Sequence, residues 1–440
     1  MNQTKFLLSA LAGALAIGLA APSAAQTEIQ WWHAMGGRLG EKVNEIADGF
    51  NKSQTRYKLT AVYKGNYTET MTGAIAAFRA KKQPHIVQIF EVGTASMMAA
   101  KGAVYPVYQL MADTNTPFDP KNYLAAVTGY YTDTDGNMLS MPFNSSTPVL
   151  YYNREAFKKA GLDPDQPPRT WPEVEQAARK LQAAGTGCGF TTGWQSWVQI
   201  ENFSAWHNVP IGTLQNGFGG LGTEFKFNSP VHVRHIGQFA EWQKSKIFDY
   251  GGRRSDSAPK FYNQECGMFM NSSASSAGIQ KNAKGFDFGV SYLPYWPDVE
   301  GAPQNTIIGG ATLWVLRGHK KEEYAGVAAF FNYLSLPEVQ ADWHQFTGYL
   351  PITTAAYELT KQQGFYDKNP GFDVAIKQMT GKAPTANSKG LRFGNFVQIR
   401  DIINEELEAV WAGTKSAQQG LDAAVARGNV LLRRFEADNQ

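Results

Sequence analysis

IQWWHAM (29–35), GEKVNEIADGF (40–50), YKLTAVYKG (57–65), ETMTGAIAAFRA (69–80) and HIVQIFEVG (85–93) follow one another and alternate between two periodicities. The first, third and fifth are short runs rich in aromatic and β-branched residues, as strands are. The second sets Val43, Ile46, Ala47 and Phe50 at helical spacing, and the fourth reads as a helix as well. HIVQIFEVG is almost continuously apolar, the pattern of a strand buried on both faces of a parallel sheet. Strand, helix, strand, helix, strand predicts a parallel sheet with covering helices, hence an α/β fold.

Further along, the same alternation starts again. PVLYYN (148–153) reads as a strand, EAFKKAG (155–161) as a short helix ended by Gly161, and DPDQPPRT (163–170) as a proline-rich turn. Thr170 and Glu173 are spaced as a capping box with Pro172 in the first turn, so a helix follows. NTIIGGATLWVL (305–316) reads as a strand, EEYAGVAAFFNYLS (322–335) as a helix and TGYLPI (347–352) as a turn. The tail is helical over 397–413 and, capped by Ser416 and Gln419, over 417–436. SSASSAG (272–278) reads as a loop of small residues. With 440 residues the chain exceeds what one hydrophobic core supports, so two lobes are expected.

Composition narrows the function. Hydrophobic residues make up 43% and aromatic residues 13%, which excludes a disordered chain. Lys plus Arg number 41 against 38 Asp plus Glu with no basic block, so nucleic acid is not an expected partner. Lys5, the apolar run Phe6–Ala21 and the small residues before Gln26 predict a signal peptide over 1–25 and an exported mature chain that does not span the membrane. In an oxidising compartment Cys188 and Cys266 could form one bridge or remain two buried thiols, and the sequence leaves both open.

Several chemical-looking motifs have plain readings. GFGGLG (217–222) matches the letters of a dinucleotide fingerprint, but it precedes the strand-like TEFKFNSP rather than opening a helix, and reads as a surface loop. Asp133–Asn137 lacks the twelfth-position acid of a calcium loop and reads as a hairpin turn. His232 and His235 lack the spacing and acid of a zinc-protease helix, so no metal, cofactor or catalytic residue is expected. An exported, aromatic-rich, two-lobed α/β chain without a catalytic signature fits ligand capture rather than catalysis.

PVLYYNREAFKKAGLDPDQPPRTW (148–171) and TGYLPI resemble stretches common to extracytoplasmic solute-binding proteins of oligosaccharide-type ABC importers. YKGNY (63–67), EVGTASMMA (91–99), FNSSTPVLYYN (143–153), NTIIGGATLWV (305–315) and KGLRFGN (389–395) are narrower, and resemble the receptors of that family that bind sn-glycerol 3-phosphate. The resemblance implies two α/β lobes, 26–145 with 296–348 and 146–295 with 349–440, joined by a hinge around an interlobe ligand cleft. It also implies a periplasmic receptor that delivers sn-glycerol 3-phosphate, or glycerophosphodiesters such as glycerophosphocholine, to permease subunits. Carried over by motif, the ligand contacts would be Tyr67, Glu91, Ser146, Ser272, Gly310, Tyr349 and Arg400, with Trp194 as an aromatic floor.

That set is chemically coherent. A phosphate monoester presents strong acceptor oxygens that Arg400 could meet in a bidentate pair, with serine and tyrosine hydroxyls and the Gly310 amide as further donors. Glu91, an acceptor when ionised, would suit the glycerol hydroxyls at the opposite end. Spacing alone places Arg400 among Ile399, Ile402 and Ile403 on a helix, where a solvated charge is expected. Glu91 at the carboxyl end of an apolar strand stands where open α/β sheets bind ligands. A sugar receptor of the same fold and an exported glycerophosphodiester hydrolase are the rival readings.

Overall fold

The computed structural model describes residues 26–100 and 102–439, and the signal-peptide expectation over 1–25 falls outside them. Two sheets organise the chain. The first contains β1 (Thr27–His33), β2 (Tyr57–Tyr63), β3 (Ile86–Phe90), the short β4 (Val104–Tyr105), β5 (Met141–Ser146) and β10 (Gly309–Leu316). Its order is β2-β1-β3-β10-β4 with β5 also on β10. As the opening periodicity predicts, β1 pairs in parallel with both β2 and β3, while β10 returns antiparallel. Helices Gly37–Ser53 and Tyr67–Arg79 make the two crossovers.

β6 (Pro148–Asn153), β7 (Cys188–Thr192), β8 (Cys266–Ser272) and β9 (Phe288–Ser291) form the second sheet, ordered β7-β8-β6-β9. Thr170 and Glu173 cap helix Trp171–Ala183 reciprocally, and Ser416 and Gln419 do the same for helix Ala417–Ala437. The cysteines, left open by sequence, face each other across the parallel β7 and β8 and are disulfide-bonded.

Three expectations need correction. NTIIGGATLWVL yields a strand only from Gly309, because Asn305–Ile308 is bonded to side chains and to Gln378 rather than to a neighbouring strand. SSASSAG leads into helix Ser275–Asn282, since the Ser272 hydroxyl accepts the Ala274 amide and turns the chain. TEFKFNSP is no strand; it contributes only the bridge Gly212–Phe225, its aromatic rings turned into the core.

The chain crosses between the sheets within one residue: Ser146 ends β5, Pro148 begins β6, and Thr147 alone lies between. Thr147 is held by other crossing segments. Its carbonyl accepts the Ser273 amide at 2.9 Å, and its hydroxyl meets the Thr306 hydroxyl at 2.6 Å and the Gln378 amide at 3.1 Å. Leu350 joins the same bundle through its amide, which donates to the Ser145 carbonyl at 2.7 Å.

Candidate functional site

The strand ends that converge on this crossing surround a cavity of about 520 Å³, within the size range of small-ligand sites. All eight residues proposed from sequence line it: Tyr67, Glu91, Ser146, Trp194, Ser272, Gly310, Tyr349 and Arg400. The first sheet supplies its wall through short connections. Glu91 begins the single turn after β3, Ser146 ends β5, and Gly310 lies opposite Ser145 in the β5–β10 register. Gly310 has φ 98°, and a Cβ there would lie 2.0 Å from the Asn144 carbonyl oxygen, so no other residue fits.

Tyr67 opens helix Tyr67–Arg79 directly after its Asn66 cap, and its ring stacks on Phe90 at 5.2 Å. A buried polar chain fixes its hydroxyl. The Ala34 amide donates to Gln88 Oε1 at 2.8 Å, Gln88 Nε2 donates to Asn144 Oδ1 at 2.7 Å, and Asn144 Nδ2 donates to the Tyr67 oxygen at 2.9 Å. Because that oxygen accepts from Asn144, its proton points away from Asn144 and toward the Tyr349 hydroxyl beside it. Tyr349, anchored by its stack on Trp343, is the neighbouring phenol, and burial pushes both hydroxyls up so that both remain proton donors.

On the opposite wall, the Ser272 oxygen accepts the Ala274 amide at 3.1 Å, leaving its own proton to donate. Trp194 lies just past β7 at φ 45°, a conformation rare for a bulky residue. Its amide donates to the Arg254 carbonyl at 2.6 Å and its indole to Ser255 Oγ at 3.2 Å, which hold it there. Strain of this kind is retained where surrounding contacts over-determine it, commonly at ligand sites.

The structure overturns two expectations about charge. Arg400 is no solvated side chain: it is 6% exposed, on the inner face of helix Phe396–Trp411. Nor do Arg400 and Glu91 stand at opposite ends of the cavity. Arg400 Nη2 donates to Glu91 Oε1 at 2.7 Å, while Nε and Nη2 donate to Glu201 Oε1 and Oε2 at 2.9 and 2.6 Å. The pair with Glu201 is the bidentate one, which expectation had assigned to phosphate. Among the described residues no protein group bonds Nη1, and Arg400 lines the cavity. Burial works against the Arg400 charge, and the two carboxylates outweigh it and fix the cation. Burial raises the Glu91 carboxyl above its ordinary range, the Arg400 charge opposes this, and the Glu201 charge adds to it.

Glu201 was not singled out from sequence, although it is 1% exposed and indispensable to this cluster. It lies in a π-helical stretch, Trp197–Asn202, and also accepts the Ser196 hydroxyl at 3.0 Å. The available signal was a carboxylate inside the apolar run WVQIENF, where a buried charge requires a partner. Arg254 and Lys281 also line the cavity and were not foreseen. Past Trp194 and Arg400 the cavity adjoins a second space of about 380 Å³, bounded by Arg253, Arg254, Asp401 and Asn404 among others.

Other candidates fall away on their contacts. His232 and His235 are fully buried among aromatic rings, His235 stacking on Phe203 at 3.9 Å. His85, His319 and Glu323 bring ligand-type atoms within 4.8 Å of one another behind the first sheet. His85 Nδ1 accepts the Gln30 amide at 3.0 Å, however, which puts the hydrogen on Nε2 and removes the lone pair a metal would need.

Two α/β lobes with a polar and aromatic cavity at their crossing define a solute receptor. Residues 45–373 match the model of the bacterial extracellular solute-binding proteins, and the chain belongs to that family. It is 56% identical to the sn-glycerol-3-phosphate-binding periplasmic protein UgpB of Yersinia pseudotuberculosis, over 97% of either chain. It is 53% identical to the protein of the same name from Salmonella paratyphi A, over 97% of this chain and 98% of that one. Among solved structures, UgpB from Mycobacterium tuberculosis in complex with glycerophosphocholine superposes with a TM-score of 0.78 at 22% identity. That match covers 93% of this chain and 99% of the other, and establishes likeness of fold. The chain is a binding protein and not an enzyme. Among the described residues no helix is long and apolar enough to cross a membrane.

Proposed function

We propose that the protein is the periplasmic receptor for sn-glycerol 3-phosphate of an ABC importer and delivers it to the permease subunits. The observation that carries this reading is the buried, fixed Arg400, whose Nη1 no protein group bonds among the described residues, in the wall of a cavity that also carries hydroxyl donors from both sheets. Cation and hydroxyls together suit a phosphate group, which is acceptor-only when fully ionised. The names of relatives at more than half identity agree with it. In this reading Tyr67, Ser146, Ser272, Tyr349, the Gly310 amide and Arg400 bond the ligand, Glu91 pairs with a glycerol oxygen, and Trp194 packs against the glycerol carbons.

Closure would bring together two lobes, 26–145 with 296–348 and 146–295 with 349–440, and ligand that touches both favours the closed population. Glycerophosphodiesters form a second ligand class, supported by the space beyond Trp194, which could take the second alcohol of the ester. Titration calorimetry on ligand-stripped mature protein tests the proposal, with sn-glycerol 3-phosphate and glycerophosphocholine as ligands and glycerol, inorganic phosphate and maltose as controls. Saturable one-to-one binding of the phosphoglycerol compounds alone is expected. Binding of maltose instead would replace the ligand with a sugar, and release of choline from glycerophosphocholine would replace the receptor with a hydrolase.

A further inference from the structure

Two carboxylates and one guanidinium give the Glu91–Arg400–Glu201 cluster one net negative charge before a ligand arrives. A phosphate monoester near neutral pH is close to a dianion. Set against Arg400, it would place four negative charges around one buried positive charge, since the other cations of the cavity wall, Arg38, Arg254 and Lys281, are half-buried or exposed and screened by water; such an excess is costly at low effective dielectric. A proton is the simplest compensating charge.

Resting on the phosphate-ligand reading above, we propose that capture of a phosphate monoester takes up one proton from solvent onto Glu91, while Glu201 is the positioning residue that keeps Arg400 charged and oriented. The geometry separates the two acids. Glu201 spends both oxygens on Arg400 and accepts the Ser196 hydroxyl as well. Glu91 spends only Oε1 on Arg400, lines the cavity, and has no side-chain partner at Oε2 among the described residues; besides Arg400, only its own backbone amide favours its charged form. Protonated there, Glu91 donates from Oε2 to a ligand oxygen while Oε1 continues to accept from Arg400. The proton enters from solvent and no other bond changes.

The groups facing Glu91 do not compete for that proton. Tyr67, Tyr130, Tyr131 and Tyr349 are buried phenols pushed upward and stay neutral, and Arg400 stays charged. Glu91 already stands above the ordinary carboxylate range in the empty site, so less work is needed to protonate it. A phosphodiester, with a single negative charge, needs no proton. Proton uptake therefore separates the two ligand classes at one site.

Calorimetry of the wild type in two buffers of different ionisation enthalpy, Tris and HEPES, reads the proton directly. With sn-glycerol 3-phosphate the heats should differ by the difference between the ionisation enthalpies of the two buffers, counted for one proton, and Kd should weaken by up to about tenfold per pH unit as pH rises above neutrality. With glycerophosphocholine neither effect should appear. Infrared difference spectra should show a protonated carboxyl on addition of the monoester, and Glu91→Gln should lose both that band and the buffer dependence. Monoester binding with no buffer dependence would overturn the proposal while leaving the ligand intact, as would a buffer dependence that survives in Glu91→Gln, since the proton would then sit on the phosphate. No saturable heat in the wild type would remove the ligand reading and this inference with it.

Discussion

At Gly310 a single methyl group would meet the Asn144 carbonyl, and any L-residue would be strained at φ 98°. Asn144 is also the donor that fixes the Tyr67 hydroxyl, so a shift to relieve the clash would propagate to the ligand wall. Gly310→Ala should therefore cost on the order of 2–4 kcal/mol by chemical denaturation and weaken ligand binding as well. Glu201→Ala leaves Arg400 paired with Glu91 alone and removes the buried acceptors of its Nε and Nη2, which should cost about 3–5 kcal/mol, with Glu201→Gln distinctly milder. Arg400 also shows where sequence falls short. Helical spacing correctly gave its helix but not its burial, because its partners are 199 and 309 residues away and no local pattern announces either contact. Tyr67 and Ser146, in distinctive local motifs, were legible; Glu201, in an undistinguished one, was not.

The elements read well where the signal is local. Capping boxes at Thr170–Glu173 and Ser416–Gln419 start helices at the predicted residues because both partners lie within one turn. Apolar runs found β1, β2, β3 and β10 of the first sheet and β6 of the second, while the short or polar β4, β5, β7 and β9 were not read as strands. What periodicity could not supply was pairing, and Asn305–Ile308, apolar enough for a strand, has no strand neighbour to bond with. The disulfide is a pairing of this kind. It ties the amino-terminal ends of β7 and β8, across 78 residues of chain, while the opposite ends of those strands lead to Trp194 and Ser272. Replacing both cysteines by alanine should lower stability by about 2–4 kcal/mol in a denaturant titration. Ligand Kd should change little, since the bridge is at the far end of the strands from the cavity.

For the whole molecule, histidine sets the acid limit. Of seven histidines, six are buried. Burial lowers His33, His85, His207 and His344 to about 4 and His232 to about 3, and holds His235 well below its usual value. Each is neutral in the fold and charged when unfolded below about pH 6.5, so the unfolded chain binds more protons between those values. Their contribution is intact above pH 6.5 and is lost as pH falls toward 4. Thermal midpoints measured from pH 7.5 down to 4 should fall steeply below about 6, and His232→Asn, which keeps one polar partner, should flatten part of that slope.

The one-residue passage from Ser146 to Pro148 has a mechanical meaning. Ser146 touches the cavity and stands next to the pivot, so the ligand pulls at the short arm of a lever whose long arms are the outer rims of the two lobes. If the lobes close about Thr147, a contact that tightens by a fraction of an ångström beside it would be magnified into a larger displacement of the rims. In the proposed importer, the site would thereby report occupancy to a permease at the rims without the permease ever reaching the ligand.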